Sequence, residues 1–168
     1  MKKDFSNIKL FAMDVDGTLT DGKIYIGNDG EVMKAFNAKD GLGIKLLIKK
    51  GIVPIIITGR RSKIVTRRCE EIGITVLYQG VRDKADILKN VMAKYDCTPE
   101  QTVYIGDDMN YLSAMQTAGI TFAPADCAAA LLPYVDFVLT QKSGDAPVRE
   151  AIDIILENRL TLSDYESI

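Results

Sequence analysis

Histidine is absent from this chain of 168 residues. That removes the usual general base near neutrality, a principal zinc ligand, and every Ser-His or Cys-His nucleophilic pair. Carboxylates and lysines must then carry any proton or charge work. Cysteine is scarce too: Cys69, Cys97 and Cys127 are odd in number and widely separated. This argues against a disulfide framework or a zinc site and makes a reducing cytoplasm the expected compartment. No basic block stands out, and 21 Lys and Arg against 23 Asp and Glu leave a net charge of −2. Nothing therefore suggests a nucleic-acid surface. The longest apolar stretches, such as residues 52–57, are far too short to span a bilayer. The opening Met1-Lys2-Lys3-Asp4 is not followed by a hydrophobic signal core. No repeat, low-complexity segment or linker interrupts the chain, so residues 1–168 read as one domain.

What is present is a globular composition, 47% hydrophobic and 26% charged. Apolar runs predict strands near residues 8–13, 53–58, 75–78, 103–105, 120–122 and 137–139. Between them, helical patterns fall at 44–48, 61–72 (stopped by Gly73), 84–95 and through 115, with a last helix carrying Val148, Ala151, Ile152, Ile155 and Leu156. Residues 23–26 and 31–36 flank Gly27-Asn28-Asp29-Gly30 as a hairpin. Thr98-Pro99-Glu100-Gln101 carries a capping-box pattern. Asp126 is expected to cap a short helix ending near Pro133, and the polar tail 161–168 is expected to be loose. Strands alternating with helices mean an α/β fold built on a parallel sheet with right-handed crossovers. Functional residues should gather at the carboxyl ends of its strands.

Those ends converge on one chemistry. The first strand runs into Asp14-Val15-Asp16-Gly17-Thr18. In an extended backbone Asp14 and Asp16 face one side, and Gly17 lets the chain turn sharply behind them. Two acids so placed suit a nucleophile and a proton carrier, although a strand followed by an ordinary Asp-Gly turn would look the same. Further strands end in Thr58-Gly59-Arg60 and Gly106-Asp107-Asp108, and Lys84 opens a helix just after Gln79-Gly80. Singly, these read as a turn, a helix cap and a solvated lysine; together at successive strand ends they point to a site. Bringing Asp14, Asp16 and Asp107 within about 4 Å would cost roughly 4 kcal/mol per charged pair at an effective dielectric near 20. A hard divalent cation with oxygen ligands relieves that cost, and Mg2+ keeps waters free for a phosphate. The Thr58 hydroxyl, the Gly59 N–H and the Lys84 ammonium supply donors for phosphate oxygens. The reading is Mg2+-assisted phosphoryl transfer to an aspartate.

This set resembles the four motifs of the haloacid dehalogenase superfamily of phosphotransferases. The resemblance implies a Rossmann-like three-layer fold in which Asp14 is the nucleophile. It implies that Asp16 protonates the leaving oxygen and then activates water. It also implies that Asp14, the main-chain carbonyl of Asp16, and Asp107 hold Mg2+, while Asp108 orients Lys84 and the metal waters. Asp21-Gly22, the stretch from Phe36-Asn37-Ala38-Lys39-Asp40-Gly41 to Ile44, Thr58-Gly59-Arg60, Gln79-Gly80 and Arg149-Glu150 narrow it further. They resemble the 3-deoxy-D-manno-octulosonate 8-phosphate phosphatases, Mg2+-dependent homotetramers of lipopolysaccharide sugar synthesis. That family is capless, with a hairpin insert here at about 22–36. The resemblance places Asp40, Gly41, Arg60 and Arg68 at the substrate, a sugar acid phosphate whose carboxylate suits arginine. Phosphatases of nine-carbon sialic-type acid 9-phosphates, which carry an acid where Arg60 stands, or of another sugar phosphate are the alternative.

Three departures from the family pattern stand out. Tyr111 replaces an expected aspartate, Lys39 an arginine, and Ser143-Gly144-Asp145-Ala146-Pro147 a more glycine-rich segment. A short hairpin is a poor lid against water, so neighbouring subunits are expected to complete the cover. A receiver-like signalling domain also uses Asp, Thr, Lys and Mg2+, but places its phosphoacceptor on a central strand well into the chain. A sugar phosphomutase would need a larger cap, and a non-catalytic relative has only Tyr111 to suggest it.

Overall fold

The computed structural model describes residues 3–166. Among them, β1 (Leu10–Met13), β4 (Val53–Thr58), β5 (Val76–Gln79), β6 (Thr102–Ile105), β7 (Ile120–Ala123) and β8 (Phe137–Val138) form one sheet in the order β5-β4-β1-β6-β7-β8. Every adjacent pair in it is parallel. A separate antiparallel pair, β2 (Tyr25–Gly27) and β3 (Gly30–Met33), is the hairpin.

β1 is buried throughout and alternates between two apolar layers. Phe11 and Met13 face α1 (Ala38–Lys49), α2 (Lys63–Ile72) and α5 (Pro147–Ile155) through Ile44, Leu47, Val65, Val148 and Ile152. Leu10 and Ala12 face α3 (Lys84–Lys94) and α4 (Leu112–Met115) through Leu88, Val91, Ala114 and Met115. The result is three layers, helix on sheet on helix. From β1 the chain moves outward to β4 and β5, then returns to β6 on the other flank of β1. The order reverses at β1, which opens a crevice at its carboxyl end.

The expected strands and most helices form, with three corrections. First, α1 begins at Ala38 rather than near 44, because the Asn37 side chain accepts a hydrogen bond from the Lys39 N–H (3.0 Å) and caps it. Gly41 and Gly43 weaken the helical pattern in sequence but serve close packing. A β-carbon at Gly43 would lie 3.0 Å from Arg149 Cδ of α5. Second, Asp126 caps no helix; its carboxylate accepts from the Ser143 N–H (2.8 Å), and Ala128 precedes the 3-10 turn Ala129–Tyr134. Third, most of the tail is folded. Residues Leu162–Glu166 form α6, whose Asp164 accepts from the Thr161 N–H (2.8 Å) and pairs with Lys50 (2.8 Å). Polar composition suggested solvent there, yet these groups meet the basic end of α1. Residues 167 and 168, also part of the expected loose tail, lie outside the described residues.

Candidate active site

The site begins where β1 stops. The Asp14 N–H donates to the Ile105 carbonyl (3.2 Å), carrying the β1–β6 ladder one residue past the strand and fixing Asp14 over the crevice. The loop then folds back: Thr18 and Thr20 N–H groups both donate to the Val15 carbonyl, at 3.2 and 3.0 Å, while Gly17 adopts φ +91°. From the far end of the chain, the Ser143 hydroxyl donates to the Gly17 carbonyl and the Gly144 N–H to the Thr18 carbonyl (3.1 Å). The catalytic-type loop is thus clamped by the segment that precedes α5.

Asp14 is fully buried, and neither carboxylate oxygen completes a hydrogen bond. Burial pushes its carboxyl up to about 7; the Tyr111 hydroxyl and the Val15 N–H approach and pull it down, and the Asp107 and Asp16 charges add to the rise. Asp107, after β6, also has a buried oxygen without a partner, Oδ1. Burial pushes this carboxyl up to about 6, helped by Asp108, Asp126 and Asp16 and opposed by its own N–H. Its other oxygen presses on the DxDG loop: a β-carbon on Gly17 would lie 2.0 Å from Asp107 Oδ2. Buried carboxylate oxygens without partners are costly. Their convergence from two strand ends gives an all-oxygen donor set of the kind a hard divalent cation takes. Among the described residues no three acidic, histidine or cysteine side chains form a metal cage.

Asp16 points elsewhere, into an open cleft of about 250 Å³ that it lines with Thr58, Gly59, Arg60, Asp107, Asp108, Asn110 and Tyr111. Its Oδ1 pairs with Lys34 of the hairpin, and its Oδ2 lies 3.9 Å from Arg60 Nε. Thr58 ends β4 and is buried, with its carbonyl taken by the Val81 N–H (3.1 Å). Lys84 opens α3 behind Asp83, whose side chain caps that helix. Its buried ammonium donates to the Asn110 carbonyl (3.4 Å) and lies 4.4 Å from the Tyr111 ring centre. Asp108, expected to orient Lys84, instead accepts from the Met109 N–H (2.6 Å) and caps the 3-10 turn that carries Asn110 and Tyr111. The lysine is therefore oriented by that turn's carbonyl and aromatic face.

The structure brings Asp14, Asp16, Thr58, Gly59, Arg60, Asp107 and Asp108 to one crevice, with Lys84 at its wall. It does not bring Asp40, Gly41 and Arg68 there. These line a nearly closed cavity of about 10 Å³ between α1 and α2, room for about one water. Asp40 is 2% exposed; its Oδ1 accepts from the Arg149 N–H (2.8 Å), capping α5, and Arg68 pairs with Glu71 (3.0 Å) over the Phe36 ring. Sequence reasoning missed Lys34, Asn110 and Ser143. A lone lysine after a hairpin strand looks solvated, and contacts across more than a hundred residues, like that of Ser143 with Gly17, leave no local pattern.

Comparison with known proteins points to the same fold and to one family. A family model described as haloacid dehalogenase-like hydrolase matches residues 43–125. The 3-deoxy-D-manno-octulosonate 8-phosphate phosphatase of Yersinia pestis is 46% identical over 151 residues, covering 90% of this chain and 81% of that protein. The cobalt-bound form of the corresponding Haemophilus influenzae phosphatase superposes with a TM-score of 0.92 at 36% identity, covering 97% of this chain and 99% of that one. The Moraxella catarrhalis enzyme, solved with a magnesium ion, a phosphate ion and the KDO molecule, gives 0.88 at 37% identity, covering 97% and 92%.

Proposed function

The chain belongs to the 3-deoxy-D-manno-octulosonate 8-phosphate phosphatase family of haloacid dehalogenase-like hydrolases, and from that premise we propose how its residues act. The reaction is hydrolysis of 3-deoxy-D-manno-octulosonate 8-phosphate to the free sugar acid and phosphate. The carrying observation is the buried, unpartnered Asp14 carboxylate beside the unpartnered Oδ1 of Asp107.

Asp14, Asp107 and the main-chain carbonyl of Asp16 would hold Mg2+, which when bound would neutralise these carboxylates and the incoming phosphate. An oxygen of Asp14 attacks phosphorus, and the bond from phosphorus to the sugar oxygen breaks. Asp16 gives its proton to that oxygen, leaving an aspartyl-phosphate and the sugar acid. Asp16, now ionised, takes a proton from water, whose oxygen attacks the phosphoryl group and frees Asp14. The Thr58 hydroxyl, the Gly59 N–H and the Lys84 ammonium hold the phosphoryl oxygens through both steps. The division of labour would follow from the ion: Asp14, buried beside Asp107, would be kept ionised by it and attack, whereas the Asp16 side chain, which lines the cleft without reaching the ion, would carry the proton.

Arg60, half-exposed at the rim, reads the sugar acid's carboxylate. The cleft is open in a single chain, and neighbouring subunits of a homotetramer close it. The exposed apolar hairpin residues Ile26, Val32 and Met33 support that role. The compartment is the cytoplasm, which suits three cysteines that are all free.

Phosphate release from the eight-carbon acid phosphate in Mg2+ tests this reading, with a nine-carbon acid 9-phosphate run in parallel. Turnover must vanish with EDTA and in Asp14→Asn. Turnover surviving either change, or preference for the nine-carbon ester, would sink it.

A further inference from the structure

The general acid of the proposed reaction is held by a residue from the hairpin. Lys34 follows β3 directly, and its side chain is only 1% exposed. Its ammonium lies between Asp16 Oδ1 and Glu31 Oε1, the latter at 3.0 Å. Glu31 is fixed in turn, because its Oε2 accepts from the hydroxyl of Ser62, the N-cap of α2. The Ser62 N–H donates to Gln79 Oε1 (2.7 Å) at the end of β5. A chain of polar contacts thus runs from the β5 edge, through the α2 cap and the hairpin, to the cleft. A buried lysine placed merely for solubility would have no such anchoring, and burying an ammonium is unfavourable unless carboxylates meet it. Two do.

The geometry points to Lys34 as a positioning residue for Asp16, an inference that rests on the acid role assigned above. With Oδ1 occupied by the ammonium, the carboxyl cannot rotate freely. Oδ2 is left as the oxygen that faces Arg60 and the cleft, and so the one that gives its proton to the departing sugar oxygen. The hairpin, in place of a cap domain, thereby contributes to the chemistry as well as to shape. Positioning of this kind matters because a proton transfer requires hydrogen-bond reach in the transition state.

The dependence on the leaving group tests it. A sugar alkoxide cannot leave without a proton, whereas p-nitrophenolate can. The ratio kcat/KM, which covers steps through release of the first product, is measured for the sugar acid phosphate and for p-nitrophenyl phosphate with the Mg2+-loaded enzyme. Asp16→Asn sets the reference. Lys34→Met is expected to lose on the order of 100-fold on the sugar ester, at least ten times more than on the aryl ester, and Lys34→Arg to recover most of that difference. Should Lys34→Met not fold, as judged by its melting curve, Lys34→Ala, which likewise leaves Oδ1 without a donor, gives the same comparison. Equal losses on both esters in the Lys34 variants, with Asp16→Asn still discriminating, would overturn the role of Lys34 and leave that of Asp16. Absence of discrimination in Asp16→Asn itself would overturn the acid assignment and Lys34's role with it.

Discussion

Gly17 turns its bare α-carbon to the Asp107 carboxylate so closely that a β-carbon would sit 2.0 Å from Oδ2. The first and last motifs of the site, ninety positions apart in sequence, are therefore in direct contact, and glycine is required for that contact as well as for the turn at φ +91°. Gly17→Ala must displace Asp107 and strain the loop at once. It is expected to lower stability by about 2 kcal/mol and to weaken Mg2+ binding by more than ten-fold, read by denaturant melts and by calorimetric titration of the ion. Wild-type ion affinity in that variant would mean Asp107 takes no part in holding it.

Two buried carboxyls and a half-buried one make the metal-free protein sensitive to pH. Asp14 and Asp40 are each pushed up to about 7 and Asp107 up to about 6, all chiefly by burial, from 3.8 in the unfolded chain. Between pH 4 and 7 the folded state holds protons that the unfolded state has released, so rising pH favours unfolding across that window. Each fully buried group contributes a slope of up to about 1.4 kcal/mol per pH unit, with Asp107 contributing less because it is more open to screening by water. Mg2+ should therefore raise Tm far more at pH 8 than at pH 5.

Asp40→Asn separates the metal-independent share. Asn keeps an acceptor for the Arg149 N–H but has no proton to lose. Relative to the wild type, this variant should gain stability from pH 5 to about pH 7 and level off above that, with or without Mg2+. Parallel curves would show that Asp40 does not titrate in this range.

Ala146 precedes α5 at φ +68°, a left-handed conformation that costs a side-chain-bearing residue about 1–2 kcal/mol. Ala146→Gly removes that strain and adds some unfolded-state entropy. The net expectation is a gain of about 1 kcal/mol, seen as a Tm rise of roughly 2–4 °C. Pro147 tolerates the change, since as the first residue of α5 it sacrifices no helical hydrogen bond.

Arg60→Ala should cost at least ten-fold more in kcat/KM on the sugar acid phosphate than on an ester lacking a carboxylate, a typical loss for one charged contact. Steady-state assays on the two esters decide it. Equal losses would leave Arg60 only its neighbourhood to Asp16 Oδ2.

Much of this architecture is legible in the order of residues. The run 53–58 became β4 with the same limits, Gly73 ends α2 at φ +83°, and the Thr98 capping box formed as expected. These features are local: side-chain alternation, a positive φ, a reciprocal cap. Where the reading failed, a distant partner had reassigned a residue. Asp126 serves Ser143 rather than a helix, Asp108 serves its own turn rather than Lys84, and the tail is tied to Lys50.

By itself the sequence determined the inventory of reactive groups and their position at the ends of strands, because strand periodicity and glycine turns are written in neighbouring residues. Tertiary structure alone decided which groups meet. The parallel register that sets Met13 beside Ile105 carries Asp14 and Asp107 to one crevice, and the folding of the hairpin seats Lys34 on Asp16. It also turned Asp40 into a cap for α5. Such pairings depend on the registry of segments far apart along the chain, which short-range chemistry does not encode.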